Sequence, residues 1–333
     1  MDKKIFFVIA FTLLSGMASA QTFTQKAPMP DEYYTLVKEA NAFYNTGDYQ
    51  KAADAYTKAF QASGDKGMTT DFYDAACAYA LAGDKETAFK ELKVLGPARF
   101  NGYNHMMIDP DLESLHNDTR WDTVAAAIKQ NKERNEADMD KELVSKLDTI
   151  MQDDQKYRMK ISKIETKYGK DSKEMKDLWQ TINKYDSIDL IKTTAIIDKY
   201  GWPGPSMAGR EGSQAVFLVI QHADIKTQDK YLPVMRKAVE NKEASPASLA
   251  LLEDRVALRH GQKQTYGSQI TTDAQGSYLA PLTDPDNVDK RRREAGLGPL
   301  ADYLLSFGLK WDVETYKKQL PELEQREKNI HYE

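Results

Sequence analysis

The sequence contains very little cysteine and no surplus of basic residues. Cys77 is the only cysteine among 333 residues, which excludes an internal disulfide and a metal site built from several thiolates. Because Cys77 lies among small residues in AACAYALAG, we expect a buried, inert thiol, with a reactive or intermolecular thiol as the alternative. The formal net charge of −5 at pH 7 argues against a nucleic-acid-binding protein, since such proteins present a basic face.

The short motifs of well-known catalytic sites are also missing. The chain has no His-Glu-x-x-His pair, no Gly-x-Ser-x-Gly turn, no glycine-rich phosphate loop and no Cys–His nucleophile pair. The few histidines show no metal-ligand spacing; they are His105, His116, His222, His260 and His331. We therefore expect no metal site and no cofactor.

The first residues have the pattern of a secretory signal. A basic start at Lys3-Lys4 precedes an apolar stretch from Ile5 to Leu14, which is too short to span a bilayer as a helix, and the small residues Ala18-Ser19-Ala20 follow. The pattern predicts a signal peptide at residues 1–20 and an exported, periplasmic protein, with an uncleaved anchor as the alternative. Because no later stretch approaches the length of a transmembrane helix, we expect no integral membrane segment after signal removal.

A repeated pattern occupies the first third of the chain. Residues 39–60 and 74–95 align when the Gly-Asp pair at 47–48 is placed on the pair at 83–84. The spacing of 36 residues (83 minus 47) is close to the period of about 34 residues in helix-turn-helix repeats. Each segment is therefore predicted to be two paired helices, with the Gly-Asp pair as the turn between them.

These two segments resemble tetratricopeptide repeats. The stretch at 108–130 is similar to the ending that commonly follows short arrays of this kind, so we predict a repeat domain over 21–135 that includes a capping helix. The resemblance implies a protein or peptide partner bound in a groove. With only two repeats, a purely structural role is the alternative.

Regular apolar spacing predicts helices through the middle of the chain. One long helix is expected from about 137 to 168, a second from about 172 to 185, and a third from 189 to 199. Gly201 and the prolines after it end the third helix. The low apolar content before residue 140 indicates a domain boundary, with a helical domain over 136–333.

The segment GSQAVFLVIQHAD predicts a buried helix with a polar end. Its centre is apolar nearly all round, so we expect it inside the domain, with Gln221 and His222 at the floor of a cleft. His222 is a candidate general acid or base, and Asp224 either orients it or caps the following helix. A histidine at such a position also commonly binds the terminal carbonyls of its own helix, which is the structural alternative.

A further helix carries Asp254 and Arg255, which are adjacent and cannot face one another, so each needs a partner on another element. A salt bridge to that element is the structural alternative to a binding role. The strands of a small β-hairpin are predicted at 270–272 and 277–279.

Other polar candidates flank this hairpin. Gln264, Tyr266 and Gln269 suit hydrogen bonds to a neutral polar ligand rather than a metal. Arg291 and Arg292 either form a solvated run or supply a fork that recognises a carboxylate or phosphate.

Short motifs occur in a set order between about 140 and 305: Asp154-Gln155 with Arg158, Gly201-Trp202-Pro203, Gln221-His222-Ala223-Asp224, Asp254-Arg255 and Tyr266-Gly267-Ser268-Gln269. Their order resembles a bacterial domain family of unknown function. The resemblance implies no activity, only that these polar residues belong to one module and would form a mixed-charge pocket if they meet. The candidate ligand-binding residues are Gln155, Arg158, Gln221, Gln228, Asp254, Arg255, Gln264, Tyr266, Gln269, Arg291 and Arg292, and the candidate catalytic residues are His222 and Asp224.

The sequence therefore predicts a mainly α protein, in which tetratricopeptide-like helical hairpins precede a helical domain with a small β-hairpin. The preferred function is an interaction module joined to a domain that binds a small polar or anionic ligand, because binding requires no nucleophile and suits amides and arginines. One alternative is a hydrolase or transferase that uses His222 as general acid or base. The other is a non-catalytic assembly scaffold whose polar residues form internal salt bridges.

Overall fold

The computed structural model describes residues 29–328 and residue 330. Within that part the chain forms 15 α-helices and one antiparallel sheet of two strands, which confirms the prediction of a mainly α protein with a small β-hairpin. None of these helices combines the length and the apolar composition that crossing a bilayer requires. The predicted signal peptide lies outside the described residues.

The described residues group into two compact units, one up to Asp138 and one that contains residues 139–158 and those from Ile164 onward. In the first unit, α1 packs on α2 and α3 packs on α4, so two helical hairpins follow one another. The elements of this unit are α1 (Asp31–Asn45), α2 (Tyr49–Ala62), α3 (Thr69–Ala82), α4 (Lys85–Leu95), α5 (Tyr103–Ile108), a 3-10 helix (Pro110–Leu115) and α6 (Thr119–Asn135).

The same Gly-Asp pair makes the turn in both hairpins. Gly47 and Gly83 have φ values of 78° and 89°, in the left-handed region that glycine enters without a steric penalty. Asp48 and Asp84 then cap α2 and α4, because each carboxylate accepts a hydrogen bond from the backbone N–H three residues later.

Helix α10 (Pro205–His222) lies at the centre of the second unit, where it contacts α7, α9, α11 and α12. The other elements are α7 (Lys141–Arg158), α9 (Lys173–Tyr200), α11 (Ile225–Glu240), α12 (Pro246–Arg259), β1 (Ile270–Asp273), β2 (Gly276–Leu279), α13 (Val288–Glu294), α14 (Leu300–Leu305) and α15 (Val313–Glu327). Helix α8 (Ile161–Tyr168) lies between α7 and α9 in the chain.

Helix α10 is buried because its side chains are apolar on nearly every face. Every residue from Ala215 to Gln221 is buried, as the sequence pattern predicts. Gly212 permits a close approach to α7, since a Cβ at that position would lie 3.2 Å from Cδ1 of Leu147. The close packing of these two helices brings the end of α10 beside the end of α7.

Two predicted helix boundaries are wrong. The long helix expected over 137–168 is interrupted after Arg158, and α8 begins at Ile161. The apolar spacing continues in phase across this two-residue turn, so periodicity does not reveal the break. Conversely, the two helices expected over 172–185 and 189–199 form the single helix α9, because nothing between them prevents helical continuation.

The hairpin has the predicted strands, each one residue longer. Ile270 pairs with Leu279 and Thr272 pairs with Ser277 in an antiparallel register. Ser245 caps α12 through its side chain, which accepts from the backbone of Ser248, as expected for a serine before a first-turn proline.

Candidate functional site

A cleft of about 270 Å³ opens in the second unit at the carboxyl end of α10. Its wall combines acidic, neutral polar and apolar side chains that come from α7, α9 and the α10–α11 junction. The lining residues are Asp154, Asn183, Asp186, Ser187, Leu190, Val219, His222, Ala223 and Asp224.

The central feature of the cleft is a hydrogen bond between two helices. His222, the last residue of α10, donates from Nδ1 to Oδ1 of Asp154 on α7, at 3.0 Å. The Asp154 side chain is 1% exposed and the His222 side chain is 14% exposed, so the carboxylate lies behind the imidazole. Because Nδ1 is engaged, Nε2 is the ring nitrogen that can exchange a proton with a molecule in the cleft.

Arg158 connects this pair to a second carboxylate. Its guanidinium donates to Oδ1 of Asp154 at 3.2 Å and makes two bonds of 2.8 Å to the carboxylate of Asp186 on α9. Such a bidentate arginine–carboxylate pair fixes the orientation of both side chains and keeps both of them charged. The residues Asp186, Arg158, Asp154 and His222, called the cleft cluster below, thus form a continuous chain across three helices.

Burial and the neighbouring charges of the cleft cluster shift the pKa values of both Asp154 and His222. Burial alone raises the pKa of the Asp154 carboxyl, but the charges of His222 and Arg158 outweigh it and hold this pKa below its ordinary value. Burial, together with the positive charge of Arg158, lowers the pKa of His222 against the opposing effect of Asp154. Near pH 7 the pair therefore consists of an ionised carboxylate and a neutral imidazole, which is a base supported by an acceptor.

Gln155 supports the cleft cluster from behind. It is buried, and its Nε2 donates to Oδ2 of Asp154, the oxygen that His222 does not use. Its part is to hold the carboxylate rather than to line the cleft, so a direct contact with a ligand is not its role in this geometry.

Asp224 has the capping role rather than the orienting one. Its carboxylate accepts from the backbone N–H of Thr227 at 2.9 Å and from the hydroxyl of the same residue at 3.2 Å, which begins α11. The partner that orients His222 is Asp154, so the alternative in which Asp224 does so is corrected. Asp224 nevertheless lines the cleft.

Gln221, Gln228 and Arg255 are buried at the end of α10, outside the cleft lining. The Gln228 amide donates to the carbonyl oxygen of Gln221 at 2.9 Å, and Nη1 of Arg255 donates to the same oxygen at 3.1 Å. The side chains of Gln228 and Arg255 thus satisfy the Gln221 carbonyl, which the helix leaves without an intrahelical partner. They anchor the segment that carries His222.

A different buried carboxylate organises the loop before the hairpin. Asp254 accepts backbone hydrogen bonds from Thr265 at 2.6 Å, Tyr266 at 2.9 Å and Ser268 at 2.9 Å. Burial raises the pKa of Asp254 despite these donors, which act in the opposite direction. All three donors belong to one loop, so Asp254 fixes its shape.

Two glutamines tie this loop to the hairpin. Gln264 donates from Nε2 to the carbonyl oxygens of Gln269 at 3.1 Å and Ala280 at 2.8 Å, and its Oε1 accepts from the backbone of Gln269 at 2.9 Å. Gln264 and Gln269 are both buried. The Gln269 side chain donates to the hydroxyl of Ser268 at 2.9 Å. Both amides therefore bond to protein atoms rather than face a ligand.

The two arginines of α13 bind backbone carbonyls of the same region. Arg291 donates to Thr265 at 2.9 Å and to Thr283 at 2.7 Å, and Arg292 donates to Gly298 at 2.6 Å and to Tyr266 at 2.8 Å. The term loop cluster below denotes Asp254, Gln264, Tyr266, Gln269, Arg291 and Arg292. These six side chains bond to protein atoms and do not line the cleft, so the single mixed-charge pocket expected from the sequence is corrected to two separate clusters.

Two members of the cleft cluster, Asp154 and Asp186, are not among the candidate site residues chosen from the sequence, although Asp154 belongs to one of the short motifs. Asp154 has a local signal, since it precedes the candidate Arg158 by one helical turn and can therefore pair with it. Asp186 has none, because its partner lies on another helix. Among the described residues, no group of three or more His, Cys, Asp and Glu side chains is arranged to hold a metal ion.

The fold and the site define a helical domain that presents a buried carboxylate–histidine pair at a small cleft. The model of a family of unknown function, DUF6624, matches residues 137–312, which is more than half of the chain, and the protein belongs to this family. The match fits the resemblance noted over about 140–305 and includes both clusters. No curated protein and no solved structure matches the chain.

Proposed function

We propose that the second unit binds a small polar molecule in the cleft beside His222. The observation that carries this proposal is the Asp154–His222 pair at the wall of an open cleft of about 270 Å³. That volume lies just below the usual range for ligand pockets, about 300–1,000 Å³. It suits a small molecule rather than a polymer.

The arginines do not favour the anionic ligand that the sequence suggested. Arg291 and Arg292 are occupied by backbone carbonyls, and Arg158 already bridges two carboxylates. A neutral polar or positively charged ligand therefore fits the cleft better than an anion.

A second candidate function is general acid–base catalysis, in a hydrolase or a transferase. The observation that favours it is the same pair, because a neutral imidazole oriented through Nδ1 by a buried carboxylate can take a proton at Nε2. In this version His222 is the catalytic base and Asp154, rather than Asp224, is the residue that positions it.

For the first unit we propose a tetratricopeptide-like module that docks a protein or peptide partner, in an exported, periplasmic protein. The proposal is supported by the two helical hairpins with identical Gly-Asp turns and by the signal-like pattern at residues 1–20. An assembly scaffold is the alternative for the whole chain, and the internal bonding of the loop cluster is consistent with it.

The ligand proposal is tested by blocking the cleft. Ser187 is exposed on α9 and lines the cleft without joining the cleft cluster, so Ser187→Trp fills the space and leaves the pair in place. The purified chain is incubated with periplasmic extract, and retained or altered small molecules are identified by mass spectrometry. We expect the wild-type protein to retain a compound that Ser187→Trp does not.

The matched control is Ser145→Trp, because Ser145 is an exposed serine on α7 outside the cleft lining. This variant should retain the compound as the wild-type protein does. Equal retention by Ser187→Trp and wild type would reject the cleft as the binding site. Turnover of the compound by wild type but not by a stable His222→Ala variant would favour the catalytic version.

A further inference from the structure

The cleft wall carries carboxylates on two sides. Among the described residues that line it, the acidic members are Asp154, Asp186 and Asp224, and the only basic one is His222. Since the pKa of this imidazole is lowered, it adds no full positive charge near pH 7. The electrostatic character of the wall is therefore acidic.

Three arginines behind the wall, Arg158, Arg259 and Arg255, reduce this negative charge. Arg158 bonds to both Asp154 and Asp186. Nη1 of Arg259 bonds to the carbonyl oxygen of Ala223 at 2.7 Å, and this arginine is close enough to Asp224 to interact with its charge. The charge of Arg255 also acts on His222. These arginines lie behind the carboxylates, and among the described residues that line the cleft none is a lysine or an arginine.

Asp224 is the carboxylate that remains most available. It is exposed, and its two oxygens accept from the amide and the hydroxyl of Thr227, which are neutral donors. Asp224 therefore attracts a cation to its side of the cleft.

We propose that the ligand of the cleft is a small organic cation, with a primary ammonium group placed beside Asp224 and an aliphatic part against Leu190 and Val219. The proposal deepens the ligand-binding function proposed above and rests on it. An ammonium group suits the geometry because it donates three hydrogen bonds and both Asp224 and Nε2 of His222 can accept. The apolar lining residues give the aliphatic part a contact that a hydrated inorganic cation does not use.

Three probes of nearly equal size separate charge from shape: n-butylammonium, 1-butanol and butyrate. Each is titrated into the full-length mature protein at pH 7.5, and binding is followed by the backbone amide NMR shifts of residues 219–224. We expect saturable shifts with n-butylammonium and an affinity about tenfold or more above that of either other probe, since a tenfold ratio corresponds to about 1.4 kcal/mol.

The decisive variant is Asp224→Asn. Asparagine caps a helix about as well as aspartate, so the start of α11 is kept while the charge is removed. We expect the affinity for n-butylammonium to fall about fivefold, with the melting temperature nearly unchanged. The matched control is Asp229→Asn, which removes the same charge from α11 at a residue outside the cleft lining that pairs with His260.

Butyrate or butanol binding as tightly as n-butylammonium would overturn the proposal, and so would the absence of saturable shifts with the ammonium probe. An equal loss in Asp224→Asn and Asp229→Asn would also overturn it, because the effect would then reflect overall charge. These results leave the proposed function intact as long as Ser187→Trp abolishes retention of a compound from the extract. Failure of that blocking experiment is the separate outcome that removes the proposed function itself.

Discussion

The cleft cluster and the loop cluster are each built around a buried aspartate, yet the two carboxylates have different partners. Asp154 is bonded to side chains, one of which is an imidazole, whereas Asp254 is bonded to three backbone amides of one loop. Backbone donors do not titrate and cannot leave without unfolding the loop. A buried carboxylate in a polar motif therefore indicates a binding or catalytic site only when its partners can change their own charge or position.

The largest effect expected from this contrast is on stability. Asp254→Ala leaves three loop amides without their acceptor, so the free energy of unfolding of the second unit should fall by about 4 kcal/mol. Urea titration followed by circular dichroism measures the change. Asp229→Ala, which removes a carboxylate from an exposed ion pair, should cost less than about 1 kcal/mol. A loss below about 1 kcal/mol in Asp254→Ala would contradict the organising role of this residue.

An intermediate effect is expected on the titration of His222. Asp154→Asn keeps an oxygen that can accept from Nδ1 but removes the negative charge that opposes burial, so the pKa of His222 should fall by about one unit or more. The shift is measured by NMR from the imidazole signals of the folded protein. Asp254→Asn serves as the comparison, and an equal change in both variants would remove the distinction between the two clusters.

The smallest effect is on the pH dependence of stability. The pKa of His222 is lowered in the folded chain from 6.5, so the unfolded chain binds the proton first as the pH falls. The stability that comes from keeping the imidazole neutral is present above pH 6.5 and declines below it. The stability difference between wild type and His222→Gln should therefore shrink as the pH is lowered from 7.5 to 5, because glutamine does not titrate.

Arg292→Gln provides the corresponding measurement in the loop cluster. Neither an arginine nor a glutamine titrates in that interval, so its stability difference from wild type should stay constant from pH 7.5 to pH 5. A difference that grows rather than shrinks in His222→Gln would mean that the folded state favours the charged imidazole, and it would reverse the assignment of a neutral base.

Local patterns account for much of the fold. The Gly-Asp turns, the buried α10 and the β-hairpin all depend on residues close together in the chain, and each is predicted correctly. The break after Arg158 escapes prediction because two turn residues leave the apolar phase unchanged. The continuity of α9 escapes it because a polar stretch is as compatible with an exposed helix face as with a connection.

The site is less accessible from the sequence, because its partners come from separate helices. His222 and Arg158 are selected by residue type, but the pairing of His222 with Asp154 rather than Asp224 depends on the packing of α10 against α7. The sequence also does not predict the direction in which a long side chain points. Arg291 and Arg292 have the chemistry of an anion fork, and only the fold shows that backbone carbonyls occupy them.

The glycine at 212 has a consequence for the chemistry at the far ends of its two helices. Leu147 is seven residues before Asp154 on α7, and Gly212 is ten residues before His222 on α10, which correspond to about 10 Å and 15 Å of helix at 1.5 Å per residue. A methyl group at 212 would require Leu147 and Ala208 to move by a few tenths of an ångström, and any part of that movement taken up by the helix backbones would displace the far ends of α7 and α10. The lack of a side chain at Gly212 therefore contributes to the geometry of the 3.0 Å bond between His222 and Asp154, which lies more than two helical turns along α10.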